Sequence, residues 1–165
     1  MEEMRVYIAN LGKYNEGESV GAWFTLPVDE DEVAERIGLG GRYEEYAIHD
    51  YELPFKIEEY MSIDSLNYLH ELAEDLPEEI QEEISALMGH FSTFEELCDK
   101  ADDIILHSGC NSVEDVAYEY IEECGVLDGL PQNLQCYFDY AALARDMAIE
   151  GRYVETNRGV FEICY

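Results

Sequence analysis

Positive charge is the scarcest thing in this 165-residue sequence. Nine lysines and arginines face 39 aspartates and glutamates, and only Lys13, Lys56 and Lys100 are lysines. The formal net charge is −30. A protein that binds nucleic acid directly needs the opposite sign, so that class is excluded, as is docking on an anionic membrane surface. No apolar run is long enough to span a bilayer. The opening MEEMRVYIANLG has no apolar h-region, so no signal peptide is expected. No CxxC occurs, and the five cysteines are odd in number, which suits free thiols in a reducing cytoplasm. HExxH, a Walker loop and a nucleophile elbow are all missing. The GLGG at 38–41 reads as a helix stop, and its acidic surroundings would repel a phosphate. No catalytic residue and no cofactor are expected.

What is present is a foldable composition. Hydrophobic residues make up 47% and aromatic residues 12%, enough for a packed core. The stretch GRYEEYAIHDYELPF at 41–55 sets four carboxylates among three tyrosines, with Arg42 as its only fixed positive charge. Its tyrosines, Ile48, Leu53 and Phe55 mark it as ordered rather than as an acidic tail.

Periodicity predicts an α+β chain of three small units; an elongated arrangement, or a partner that neutralises the charge, would relieve its self-repulsion, and the elongated form is the expected one. The first, 1–61, is β-rich and antiparallel, with strands over 4–10, 20–26 and 43–50. A short helix opens at Asp29, carries Val33 and Ile37, and stops at Gly38. The second, 62–103, is helical. Ile63, Leu66, Leu69 and Ala73 form one stripe. Behind Pro77, the residues Ile80, Ile84, Leu87, Met88 and Phe91 form a second, as on a single continuous helix. Ser92 with Glu95 suggests a capping box for a third helix. The last unit, 104–165, is α+β. A strand at 104–107 precedes a helix capped by Asn111 or Ser112, whose apolar face is Val113, Val116, Ala117, Tyr120, Ile121 and Cys124. One or two helices follow over 131–146, and a hairpin turns near 157–159.

The acidity follows every unit. The net charge is −10 over 1–60, −12 over 61–103 and −8 over 104–165. Duplex DNA carries one charge per ~1.7 Å, so 30 charges correspond to roughly 50 Å of duplex. A compact chain of this length is about 40 Å across. Its charge per unit length is thus comparable to that of DNA. Glu78, Glu79, Glu82 and Glu83 lie opposite the Ile80–Phe91 stripe as like-charge i,i+4 pairs, each costing ~0.2–0.5 kcal/mol. Glu114, Asp115, Glu119, Glu122 and Glu123 repeat the pattern. A solvated face explains any one helix, but less readily the repetition.

Other acidic functions fit less well. Calcium buffering needs a D-x-D-x-D-G loop, and DEDEVAERIGLG lacks that spacing. His90, Cys98, His107 and Cys110 match no zinc spacing and read as ordinary buried residues, so no metal is expected. Salt adaptation also yields acidic, lysine-poor surfaces. An acidic chaperone or sink for basic DNA-binding proteins is feasible on charge alone.

The block YIANLxxYNxGxxxGxWF at 7–24 is specific. With EEYAIHDYELPF at 44–55, GLPQNLQCYFDYAALARDM at 129–147 and RYVETNRGVFEICY at 152–165, it resembles the ArdA antirestriction family end to end. The branch it resembles is carried on conjugative transposons and plasmids. The resemblance implies a DNA mimic that occupies the DNA-binding groove of type I restriction–modification enzymes, at the methyltransferase core of specificity and modification subunits. It implies protection of an incoming mobile element, with neither catalysis nor cofactor. It also implies a three-domain homodimer joined through the C-terminal domain. On that reading Glu44, Glu45, Asp50 and Glu52 stand in for phosphates. The family's antirestriction motif falls on 126–140, where Leu130, Pro131, Leu134, Tyr137, Asp139 and Tyr140 match. With Asp128 and Asp139 its only acids, this stretch suits either a subunit contact or an ordinary core helix.

Overall fold

The computed structural model describes residues 3–165. The chain forms two compact α+β units, one ending at Cys98 and the other spanning Asp99–Tyr165. In the first unit, β1 (Arg5–Asn10) is the centre of an antiparallel sheet, between β2 (Gly21–Thr25) and β3 (Tyr46–Glu52). Val6 and Ile8 of β1 are fully buried, as its place in the middle requires. The third strand runs two to three residues later than the sequence pattern predicts. Tyr43 is held in a bridge to Gly40, so the sheet register starts only at Tyr46.

The loop expected after β1 begins with a helical turn, α1 (Leu11–Asn15). Asn10 is the reason. Its Oδ1 accepts from the Lys13 amide at 3.0 Å, while its Nδ2 donates to the carbonyls of Ile37 and Gly38, both at 3.1 Å. One buried amide thereby starts α1 and ties down the end of α2 (Glu30–Ile37). That helix obeys its local signals: the Asp29 carboxylate accepts from the Glu32 amide at 2.8 Å, and Gly38 closes it at φ 68°. The same unit contains the helical stretch. In α3 (Ile63–Asp75), Ile63, Leu66, Leu69 and Ala73 are buried, as the stripe predicts.

Beyond Pro77 the expected single helix is broken. It becomes α4 (Glu78–Gln81), α5 (Ile84–Leu87) and a 3-10 turn at Met88–His90. Ile80, Ile84, Leu87 and Phe91 are still buried, while Met88 is only half-buried. Gln81 contributes to the break. Its Nε2 turns back to the carbonyls of Glu74 and Leu76, at 3.0 and 2.7 Å, supplying partners that the C-terminus of α3 lacks. In α6 (Phe94–Asp99) the cap is shifted by one from the expected Ser92–Glu95 pair. Thr93 Oγ1 accepts from the Glu96 amide at 3.2 Å, and the Glu96 carboxylate accepts from the Ser92 amide at 2.8 Å.

The second unit has the antiparallel strand order β4 (Ile104–His107), β6 (Gly159–Ile163), β5 (Tyr153–Thr156). Helix α7 (Val113–Glu123) starts on a full capping box. Ser112 Oγ accepts from the Asp115 amide, and the Asp115 carboxylate accepts from the Ser112 amide. Beyond it lie α8 (Gln132–Gln135) and α9 (Tyr140–Glu150). The core joins Cys110, Val113, Val116, Ala117, Ala144 and Val160, with Leu143 and Met147 packed against it. The apolar face of α7 is narrower than the pattern predicts. Val113, Val116, Ala117 and Ile121 are buried, but Tyr120 and Cys124 face solvent. The turn into β6 requires glycine: Gly159 has φ 145°, and a Cβ there would lie 2.5 Å from the His107 carbonyl oxygen.

Candidate partner-binding surface

The acidic side chains are on the outside. In the first unit Glu44, Glu45, Asp50, Glu52, Glu78, Glu79 and Glu82 are exposed and Glu83 is half-buried. Glu44 and Glu45 precede β3, Asp50 and Glu52 lie on it, and Glu78 and Glu79 open α4. Glu82 is the C-cap of α4, its amide donating to the Glu78 carbonyl at 3.2 Å, so Glu78 and Glu82 stand one helical turn apart as expected. The chain leaves the helical path at Glu83, and the expected Glu79–Glu83 pairing along one helix is not formed. In the second unit Glu114, Glu122 and Glu123 are exposed on α7, while Asp115 and Glu119 are half-buried.

Several of these acids have internal partners, and Asp50 accepts from the Tyr51 amide at 2.8 Å. Glu52 accepts from Arg5 Nε at 2.9 Å and from its Nη2. Asp115 serves the cap of α7. Glu119 lies 3.8 Å from His107 Nδ1. On its other side the His107 ring meets Glu162 at 2.9 Å, and the Tyr153 hydroxyl donates to Glu162 at 3.0 Å. Sequence reasoning missed this His107–Glu162–Tyr153 group. Its only sequence signal is the hairpin, which sets Tyr153 opposite Glu162.

Sequence reasoning also missed where the cations go. Six of the nine lysines and arginines lie over aromatic rings, with their charged ends 4.5–5.7 Å from the centroid. Four of these also meet a carboxylate. Arg5 lies over Trp23 and on Glu52, and Arg36 over Phe24 and on Glu32. Arg42 lies over Tyr43 and on Glu16, and Lys100 over Tyr165 and near Asp103. Most of the few positive charges are therefore held by the chain's own groups rather than spread as counter-charges over the acidic face.

The stretch 126–140 does not fill the core of its own unit. Leu127 is buried, but Leu130 is 45% exposed, Leu134 48% and Tyr137 82%, and Pro131 is exposed. Asp139 is exposed and caps α9, its carboxylate accepting from the Ala142 amide at 2.9 Å. Tyr140 is half-buried in a ring cluster, 5.1 Å from Tyr118 and 4.8 Å from Phe138 between centroids. Burial, and then the nearby Glu122 carboxylate, push its hydroxyl pKa up.

All five cysteines are free thiols. Of the four residues weighed as metal ligands, Cys110 is a core residue and His90 is exposed. Among the described residues no group of three His, Cys, Asp or Glu side chains could hold a metal ion. Among the same residues no helix is long and apolar enough to cross a membrane.

A family model described as antirestriction protein (ArdA) matches residues 6–162, nearly the whole chain. No curated protein matches it.

Proposed function

The chain belongs to the ArdA family of antirestriction proteins, and from that premise we propose that it is a DNA mimic that fills the DNA-binding groove of a type I restriction–modification enzyme. The observation that carries this reading is the disposition of charge. Exposed carboxylates occur in both units, on a strand, on helices and in loops, while six of the nine cations lie over aromatic rings of their own unit and four of those also meet an acid. A basic groove that binds phosphates through lysine and arginine would meet the same sign of charge here. Attachment to the methyltransferase core then blocks restriction and modification together, and requires neither catalysis nor a cofactor.

The active form on this reading is a homodimer that buries Leu130, Leu134 and Tyr137. Their exposure supports it, because large apolar side chains grouped at a surface favour a protein contact over water. The test is a titration into a methyltransferase holding labelled duplex. DNA should be released in proportion to the protein added, and DNA that stays bound at saturating protein ends the proposal. Tight binding to histone-like proteins with no effect on the methyltransferase would instead favour a sink for basic proteins.

A further inference from the structure

One concave site in the second unit differs from the open acidic surface. A cavity of about 370 Å³ lies under α7, between that helix, α9 and the sheet. A cavity of this volume falls within the range of small-ligand sites. Three carboxylates, those of Glu119, Glu123 and Glu162, reach it together with the rings of Tyr120 and Tyr153, and Leu143 and Met147 supply apolar wall. Among the described residues no lysine or arginine lines it. His107 is its only basic side chain, and it is already engaged by Glu162 at 2.9 Å and Glu119 at 3.8 Å.

The rim carries the binding groups left over. Tyr120 is 53% exposed and Glu123 is exposed, and among the described residues neither side chain has a hydrogen-bond or ion-pair partner. They stand three residues apart on α7, a spacing that puts them on one face. Elsewhere the chain shows what a ring beside a carboxylate holds. Arg5, Arg36, Arg42 and Lys100 each lie over an aromatic ring while meeting an acid.

The geometry points to this cavity as a binding site for a guanidinium or ammonium group on an aliphatic stem. The charged end lies against the Tyr120 ring and the Glu123 and Glu119 carboxylates, and the stem lies along Leu143 and Met147. Ring and acid reinforce each other, because the negative face of the ring and the carboxylate attract the same cation. An apolar wall suits a carbon stem and not a bare metal ion. The cation belongs either to an arginine or lysine side chain of the enzyme or to a free small molecule. The first source rests on the DNA-mimic reading; the cavity's chemistry does not.

The test has two arms on the full-length chain. In the first, the isotopically labelled protein is titrated with N-acetyl-arginine amide and separately with its neutral isostere, N-acetyl-citrulline amide, and amide shifts are followed by NMR. Saturable shifts concentrated at residues 119–123 and 153 are expected with the arginine compound alone. Tyr120→Phe should keep them, and Tyr120→Ser with Glu123→Gln should weaken binding at least five-fold. Shifts scattered over the acidic surface, or equal binding of the citrulline compound, overturn the site. In the second arm the Tyr120→Ser, Glu123→Gln pair is compared in DNA competition with Tyr68→Ser, Glu71→Gln. That control removes one exposed ring and one exposed acid at the same spacing on α3. A loss of ten-fold or more for the cavity pair, against three-fold or less for the control, assigns the cation to the enzyme. Equal small losses, with the NMR site intact, assign it to a free molecule. If the parent protein fails to displace DNA while the NMR site stands, only the DNA-mimic reading falls.

Discussion

Asn67 holds Val28 by both polar groups of its backbone. The Val28 amide donates to Asn67 Oδ1 at 2.7 Å, and Asn67 Nδ2 donates to the Val28 carbonyl at 2.8 Å. This clamp joins the segment before α2 to α3, so the β-rich and helical stretches of the first unit fold as one. Two further contacts act in the same direction: the Ile63 amide donates to the Tyr46 hydroxyl at 3.0 Å, and Phe55 stacks on Phe94 at 4.0 Å. Asn67→Leu leaves a donor and an acceptor unpaired beside the buried Val28 side chain. The expected loss is about 1–3 kcal/mol in urea unfolding. Wild-type stability of the variant would show that water replaces the clamp at no cost.

Charge placed on the exposed apolar stretch should separate assembly from folding. Tyr137→Glu and Leu134→Lys are expected to give monomers in sedimentation. The melting transition measured at the monomer's own concentration should stay near that of other exposed-site variants, within about 0.5 kcal/mol, because neither side chain fills its unit's core. A monomeric parent protein would end the dimer proposal.

Inhibition should depend on the sum of acids and not on one of them. An exposed carboxylate meeting a lysine or arginine contributes roughly 0.2–1 kcal/mol. Glu82→Gln is therefore expected to weaken inhibition a few-fold at most. Neutralising Glu78, Glu79, Glu82 and Glu83 together should cost about 1–4 kcal/mol if that face meets the enzyme and the terms add. Stability should stay level or rise slightly, because Glu78 and Glu82 remain a like-charge pair one helical turn apart, while Glu83 leaves the helical path. Raising the salt concentration should weaken inhibition throughout. One acid whose loss abolishes inhibition in a folded protein would contradict a distributed charge mechanism.

Alkaline stability should be limited by two groups of the second unit, the buried Cys110 and the half-buried Tyr153. Burial, then a hydrogen bond with Glu119, push the Cys110 thiol up to about 11, from an ordinary value of 9.0. Burial, then its bond to Glu162, push the Tyr153 hydroxyl up to about 12, from 10.0. Both groups are favoured protonated in the folded state. Their contribution is whole below the unfolded values and is lost as pH rises, between 9 and about 11 for Cys110 and between 10 and about 12 for Tyr153. Denaturant titrations at pH 8, 9.5 and 10.5 should show falling stability, and Cys110→Ala should flatten the first part of that fall. Exposed Cys124 and Cys136 should be alkylated before Cys110 at pH 8. Equal rates would show that the core opens readily.

Local chemistry was legible in the sequence wherever one short segment decides the outcome. Asp29 and Gly38 bound α2, and Ser112 starts α7, because a cap is made by residues three positions apart and needs no distant partner. The final hairpin was legible for the same reason, with β5 and β6 meeting across its turn. Net charge and its spread over the whole chain are properties of the sequence alone. Tertiary structure decided which face of an element is covered and where an element stops. The stripe from Ile80 to Phe91 is buried as its spacing predicts, except at the half-buried Met88. Yet the helix breaks at 82–83, where Gln81 turns back to serve the carbonyl ends of α3. The apolar spacing of α7 includes Tyr120 as well as Ile121, but α9 and the sheet cover only the narrower face, so Tyr120 is left at a cavity rim. Leu130, Leu134 and Tyr137 have core-like composition, yet their own unit leaves the two leucines about half exposed and the tyrosine mostly so. Periodicity tells which side chains lie together on an element. Whether that face meets a neighbour is set by elements far away in the chain.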